Sequence, residues 1–405
     1  MKTSKLANLV LLVSMVVGTF LVLEYFVENY FITKTPIKLQ FSLPLGLSVL
    51  AQSSKTGRIP ENYIAIVGDS YAQGKGDWLL DIDPNSNDAF HSAHVLQELS
   101  GRDVISFGKG GASNIKGWVR DPIAKYRFIR DNIDESLAQP DIILAYFYAG
   151  NDLLDNVLDI RDLFIPGYGE AALKDDVAWN KFFLTSIEEY KVGPFSVNDS
   201  NLGWLPRATF KVLQKELKAK KAGDELGDIR IEKTGKVNSA WMNGKEVNIP
   251  DKLQSPALEL SQSETEQGFL VFTRSLGYLK NFFNESRIIV IYIPAVIESY
   301  ARVSEEVSIS DRITKVGERI EGFHTSSELM QRSDEIAGRA KTITESLGLV
   351  FIDTRRDIRA ASTKQIIHGP IDWVHYNRTG YEVLAQSITA GLIKQNVLEP
   401  PTGNQ

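Results

Sequence analysis

Four short segments of this chain hold the residue types that acyl transfer needs. Gly68-Asp69-Ser70 offers a hydroxyl, and Gly108-Lys109-Gly110-Gly111-Ala112-Ser113 a glycine-rich turn. Gly150-Asn151-Asp152 offers a carboxamide, and Asp372-Trp373-Val374-His375 a carboxylate three residues before an imidazole. A serine hydroxyl is a weak nucleophile at neutral pH and needs an adjacent base. A histidine can take its proton, an effect typically worth ~10²–10⁴ in rate. A carboxylate on the other ring nitrogen fixes the tautomer and stabilises the imidazolium. One turn of loop can bring Asp372 to the ring of His375. The expected roles are therefore Ser70 as nucleophile, His375 as base and Asp372 as the group that orients it. The tetrahedral intermediate also needs hydrogen-bond donors for its oxyanion, each typically worth ~10²–10³ in turnover. The backbone N–H groups of Ser70 and Gly111 and the side chain of Asn151 are the candidates. Gly111 lets the backbone approach a substrate with no side chain in the way.

Each segment alone has a bland reading. Gly-Asp-Ser and Gly-Asn-Asp occur by chance in many chains, and Asp372 could simply cap a helix. An α/β-hydrolase elbow would read Gly-x-Ser-x-Gly, whereas Gly68-Asp69-Ser70-Tyr71-Ala72 lacks the second glycine. The turn at 108–113 lacks the Gly-Lys-Ser/Thr ending of a phosphate loop. His91 and His94 stand three apart on a predicted helix, but no further ligand accompanies them, so core or exposed histidines are expected rather than a metal site. Most of the six tryptophans read as packing residues. Trp373, inside the Asp-x-x-His segment, is the one expected to line a substrate pocket. No metal or cofactor is called for.

What must position these segments is a recurring alternation. Residues 63–67, 103–107, 141–147, 287–293 and 349–353 are short apolar runs that read as buried strands. Residues 88–99, 115–137 (with a break near Pro122), 263–284, 327–347 and a last segment bearing Tyr381, Leu384, Ile388 and Leu392 read as helices. Ser263-x-x-Glu266 is read as a capping box for the third of these. Strands apolar on both faces, alternating with helices, imply a parallel sheet covered on both sides. The fold class is α/β, a flavodoxin-like doubly wound parallel sheet. In such a sheet ligands bind beyond the carboxyl ends of the strands, where all four segments fall. The alternation stops between residues 155 and 262, too long for an ordinary connection. A basic helix over 206–221 and a hairpin turning at Asn243-Gly244 suggest an inserted α+β subdomain there, either surface decoration or a lid and substrate wall.

The remaining composition narrows the class. The chain has 405 residues, 43% hydrophobic and 24% charged, with a net charge of -6. Those values are ordinary for a globular protein, and with no long basic run they argue against a nucleic-acid partner. There is no cysteine, which excludes disulfides, thiolate zinc sites and cysteine nucleophiles. Residues 6–23 carry no charge; as a helix they would span about 27 Å, close to a bilayer's hydrocarbon core. Lys2 and Lys5 precede the run, and Glu24, Tyr25, Phe26, Glu28, Tyr30 and Phe31 follow it. A single-pass transmembrane anchor over residues 1–32 is expected, with the N-terminus cytoplasmic and the rest on the outer side. A cleaved signal peptide is the alternative, although no clear small-x-small site precedes Glu24. Residues 33–60 read as a connector, 61–154 with 263–398 as the main domain, and 155–262 as the insertion.

The four segments resemble the blocks of the SGNH, or GDSL-type, hydrolase superfamily, named for Ser, Gly, Asn and His in that chain order. The resemblance spans about residues 63–395 without the insertion. It implies the SGNH hydrolase type of sheet, Ser70 as nucleophile, Gly111 and Asn151 in the oxyanion hole, and Asp372 with His375 as the acid–base pair. The sequence departs at Tyr71, where the family often has leucine, and at Ser106, where its second block often has asparagine. The family's substrates include acylated sugars, lipids and thioesters, and its membrane-tethered members often remove or transfer O-acetyl groups on polysaccharides. The resemblance thus implies a serine esterase acting on acylated envelope carbohydrate. The alternatives are an O-acyltransferase using the same acyl-serine, and a catalytically silent carbohydrate-binding protein. The sequence leaves the oligomeric state open.

Overall fold

The computed structural model describes residues 2–27, 45–57, 59–76, 92–133, 135–190, 235–301, 304–313 and 319–399, with a few positions between 200 and 214. Helix α1 (Lys2–Phe26) opens the chain and is followed by a short α2 (Leu45–Leu50). Within α1, Lys5–Phe26 is 22 residues long with a mean hydropathy of 2.5 and is not buried against the rest of the protein. It is long and apolar enough to cross a membrane, and a signal sequence would have the same properties.

Five parallel strands form the central sheet: β1 (Ile64–Val67), β2 (Val104–Ser106), β3 (Ile142–Tyr148), β6 (Arg287–Ile293) and β9 (Val350–Asp353). Their order is β2-β1-β3-β6-β9. This is the flavodoxin-like doubly wound arrangement, with the order reversing beside β1. All seven residues of β3 are buried, as expected for a central strand covered by helices on both faces. Alternate residues feed two separate apolar layers. Ala65, Val67, Ile143, Ala145, Phe147 and Val290 face one; Ile64, Ile66, Leu144, Tyr146 and Ile289 face the other.

The helices between strands are α3 (Ser70–Gln73), α4 (Ser92–Ser100), α5 (Asp121–Asn132), α6 (Asp152–Asp159), α7 (Ile165–Tyr168), α8 (Asp176–Glu189), α9 (Gln262–Phe282), α10 (Ser326–Ser346), α11 (Arg355–Ser362) and α12 (Arg378–Lys394). Residues 88–91 of the expected second-strand helix lie outside the described residues. Pro122 does not break its helix. It sits at the start of α5, where a wider π-type segment (Ile115–Arg120) passes into α geometry and a missing N–H costs nothing. The capping box of α9 is formed by Ser261 and Glu264, not by Ser263 and Glu266. Glu266 is instead drawn into an ion pair with Arg339 of α10 at 2.5 Å, a tertiary partner that local spacing does not reveal.

The Asn243-Gly244 hairpin forms as expected, joining β4 (Ser239–Met242) to β5 (Lys245–Asn248) with both turn residues at positive φ. A second antiparallel pair, β7 (Glu306–Ile313) with β8 (Arg319–Thr325), was not anticipated. Asn238 ties the two pairs together, its carboxamide exchanging 2.8 Å hydrogen bonds with both the N–H and the carbonyl of Ser308. The described parts of 155–262 share the main apolar layers. Phe164, Trp179 and Phe183 join the layer of β3 and α9, and Ala240, Met242 and Ile249 join the other. The expected basic helix over 206–221 falls almost wholly outside the described residues.

Candidate active site

Ser70 is presented by a sharp turn at the end of β1. Gly68 adopts φ 149°, and a side-chain carbon there would stand 3.0 Å from Tyr146 Cβ and 3.1 Å from the Tyr146 carbonyl oxygen. Only glycine fits so close to β3. The Asp69 carboxylate then accepts the Tyr71 N–H at 2.9 Å and caps the single turn α3, with Ser70 as its first residue.

His375 reaches Ser70 from a loop before α12, 305 positions along the chain. Its Nε2 lies 2.8 Å from Ser70 Oγ. Its Nδ1 lies 2.6 Å from Asp372 Oδ2. The other Asp372 oxygen accepts the backbone N–H of Val374 at 2.9 Å and of His375 at 3.2 Å. Both oxygens are thus committed, so Asp372 holds its own loop as well as the ring. Burial pushes the Asp372 carboxyl up, but hydrogen bonds from the His375 ring and from these two N–H groups outweigh it and hold it below the ordinary value. An ionised Asp372 accepts a hydrogen bond from Nδ1–H, which leaves Nε2 free to accept from the Ser70 hydroxyl. Ser70 is buried, while the side chains of His375 and Asp372 keep 13% and 18% exposure. The relay is therefore shielded yet reachable.

The three groups expected around the oxyanion lie beyond β1, β2 and β3, neighbouring strands of one sheet. Asn151 stands at the position preceding α6 but makes no capping hydrogen bond to it. Its Oδ1 is buried with no partner among the described residues. Gly111 has φ 68° and open space where a side chain would stand. Gly108 differs sharply: a carbon there would lie 2.4 Å from Gln73 N and 2.5 Å from Ala72 C. Gly108 therefore allows the loop to press on the nucleophile's turn, and Gly111 faces outward. Trp373 is mostly buried, with its indole N–H donating to the Pro370 carbonyl at 3.0 Å. Its ring packs against Gly369 and Tyr300, so it shapes the loop that carries His375.

Several supporting residues escaped the sequence reading. The Tyr71 hydroxyl donates to the Val374 carbonyl at 2.7 Å, and its ring lies 4.2 Å from that of Tyr148. Ser106 donates to the Ala72 carbonyl and accepts the Gly108 N–H at 3.1 Å, linking nucleophile turn and glycine loop. The same loop is fastened to α6 by Asn114, whose N–H meets Asn156 Oδ1 at 2.8 Å and whose Oδ1 accepts from Asn156 Nδ2 at 2.7 Å. Asp152, next to Asn151, accepts the Tyr148 N–H at 3.0 Å and Asn114 Nδ2 at 3.4 Å. Burial and the nearby Asp69 hold the Asp152 carboxyl well above its ordinary value. The Gly-Asn-Asp motif could have pointed to Asp152; nothing in sequence singles out Asn114 or Asn156. His94 is a buried residue whose Nε2 lies 2.8 Å from Ser53 Oγ. Among the described residues no cluster of His, Asp and Glu could hold a metal ion.

No family model and no curated protein matches the chain. Among solved structures it is similar to a catalytic mutant of Axe2, an acetylxylan esterase from Geobacillus stearothermophilus. That match has 11% identity and a TM-score of 0.33, covering 82% of this chain and 95% of the other. It is also similar to the acetyl xylan esterase Est2A from the rumen bacterium Butyrivibrio proteoclasticus. There the identity is 11% and the TM-score 0.35, with 84% of this chain and 64% of the other covered.

Proposed function

We propose that this chain is a serine ester hydrolase that cleaves acyl groups, foremost O-acetyl, from cell-envelope carbohydrate through an acyl-Ser70 intermediate. The observation that carries the reading is the continuous relay from Ser70 Oγ to His375 Nε2 at 2.8 Å and from His375 Nδ1 to Asp372 at 2.6 Å. In this reading Nε2 accepts the Ser70 proton as Oγ attacks the ester carbonyl, and Asp372 stabilises the imidazolium that forms. The Ser70 and Gly111 N–H groups and the Asn151 carboxamide hold the oxyanion. The imidazolium then gives its proton to the departing sugar alkoxide, and a water deprotonated by His375 releases the acid. The apolar α1 tethers the domain on the outer side of a membrane, beside its polymer.

The test is hydrolysis of 4-nitrophenyl acetate by the detergent-solubilised full chain and by its Ser70→Ala variant, with mass spectrometry after a serine-reactive phosphonate. Activity and a phosphonate adduct confined to the parent chain support the reading. Adduct formation without hydrolysis, together with acetyl appearing on an added sugar acceptor, would replace hydrolysis by transfer. Neither turnover nor adduct would leave a silent carbohydrate-binding protein.

A further inference from the structure

The loop after β2 is ringed by cations, and all but one already have an oxygen partner. Lys109 pairs with Asp121 at 3.0 Å, Arg120 with the same carboxylate at 2.7 Å, and Lys116 with Asp159 at 2.6 Å. Lys125 donates to the Phe107 carbonyl at 3.0 Å. Lys75 alone among these has no acceptor for its ammonium among the described residues, although it is half-buried. It lies one turn beyond the nucleophile, its N–H on the Ser70 carbonyl at 3.0 Å. Its side chain folds over Gly110: a carbon placed there would stand 2.3 Å from Lys75 Nζ and 2.7 Å from Cε. The neighbouring Gln73 fixes this surface by accepting the Gly110 N–H at 2.8 Å.

From this placement we infer that Lys75 forms a subsite for a carboxylate on the substrate, so that the sugar polymer read by this site carries uronic acid residues. This deepens the esterase reading and rests on it for the position of the reacting ester. A half-shielded ammonium has lost part of its hydration without gaining a counter-ion among the described residues, so an incoming anion supplies what they do not. A lone ammonium acts as a single point charge, which a single carboxylate neutralises. The N–H groups of Gly108, Lys109 and Gly110 are already engaged. Gly108 donates to Ser106, Lys109 to Gly68 and Gly110 to Gln73. The chain's net charge is -6, so attraction of an acidic polymer must be local rather than a field of the whole protein.

Equilibrium binding of trigalacturonate and of xylotriose to the full chain carrying Ser70→Ala tests this without any need for turnover. At low salt the uronate should bind about tenfold more tightly than the neutral trimer, and the advantage should shrink at higher ionic strength. Adding Lys75→Gln should abolish the difference, while Lys75→Arg should keep it. Equal binding of both trimers, an equal loss of both with Lys75→Gln, or an arginine variant that behaves like the glutamine one would overturn the inference. The hydrolysis assay judges the esterase reading separately. Charge discrimination in a chain that never hydrolyses an ester would retain the anion subsite and discard the hydrolase.

Discussion

Tyr71 and Val374 join the two halves of the candidate site directly: the residue after Ser70 donates its hydroxyl to the carbonyl of the residue before His375, at 2.7 Å. The bond spans 303 positions of sequence. Tyr71 is fully buried, and its ring lies 5.5 Å from His375 and 5.1 Å from Tyr376. A leucine here could fill space but could not make this link. Tyr71→Phe keeps the ring and removes only the hydrogen bond. It should cost about 1 kcal/mol of stability and lower turnover several-fold. Thermal melts beside initial rates will separate the two effects; unchanged turnover would mean that the bond plays no part in aligning His375.

Removing members of the relay should be strongly non-additive. Ser70→Ala and His375→Ala should each lower turnover by roughly 10⁴–10⁶, and the double variant should be no worse than either. Asp372→Asn leaves a carboxamide that can no longer demand the Nδ1 proton, so the wrong tautomer is favoured and turnover falls by roughly 10⁴. Comparing kcat of the three single variants and the double decides this. Additive losses would mean that the three do not act as one unit.

Two glycines of the loop after β2 should respond oppositely. Gly108→Ala pushes a carbon to 2.4 Å from the backbone of Gln73, which the capped turn cannot yield. Activity should fall by at least ~10²-fold, since even small misplacement of a catalytic group is that costly. Gly111→Ala meets open space and bears only the ~1–2 kcal/mol of a left-handed alanine. Soluble yield, melting temperature and rate of the two variants check the contrast, and a Gly108→Ala enzyme as active as the parent would dismiss the close approach as incidental.

Asn151→Ala should lower kcat by roughly 10²–10³ while leaving folding intact. The side chain makes no cap for α6 and its Oδ1 has no hydrogen-bond partner among the described residues. Circular dichroism melts with kinetics on 4-nitrophenyl acetate test this, and a large fall in melting temperature would assign Asn151 to the fold instead.

Stability should decline in acid through buried histidines. Burial lowers His368 to about 3 and His94 to about 4. Both are depressed below the free value near 6.5, so the unfolded chain binds more protons below that pH. Stability is complete above about 6.5 and is lost progressively as pH falls toward the folded values. Asp372, held low, adds to the same trend at lower pH still. His368→Gln should flatten the slope of melting temperature against pH between about 6.5 and 3 by close to one proton; an unaltered slope would show that His368 is already protonated in the fold.

The strands and the four chemical segments were legible because each announces itself locally. Runs such as Ile64–Val67 and Ile142–Tyr148 are apolar without interruption, and Ser70, Asn151 and His375 each belong to a short motif at a strand's end or before the last helix. What escaped depends on distant partners. Ser263 and Glu266 carry the capping signature as well as Ser261 and Glu264 do, and only Arg339 decides between them. In β7 the buried Val307 and Ile309 enclose a serine in a run too short to separate from loop. The role of Tyr71 depends on Val374, far beyond any local window.

The 305 positions between Ser70 and His375 also set when the site can exist. A ribosome adding about 5–20 residues per second needs roughly 15–60 s to travel from one to the other. Throughout that interval the nascent chain displays its nucleophile without a base. Under the proposed function, a polypeptide released ahead of the loop that carries His375 would lack the base, so ester cleavage could begin only after that loop is made.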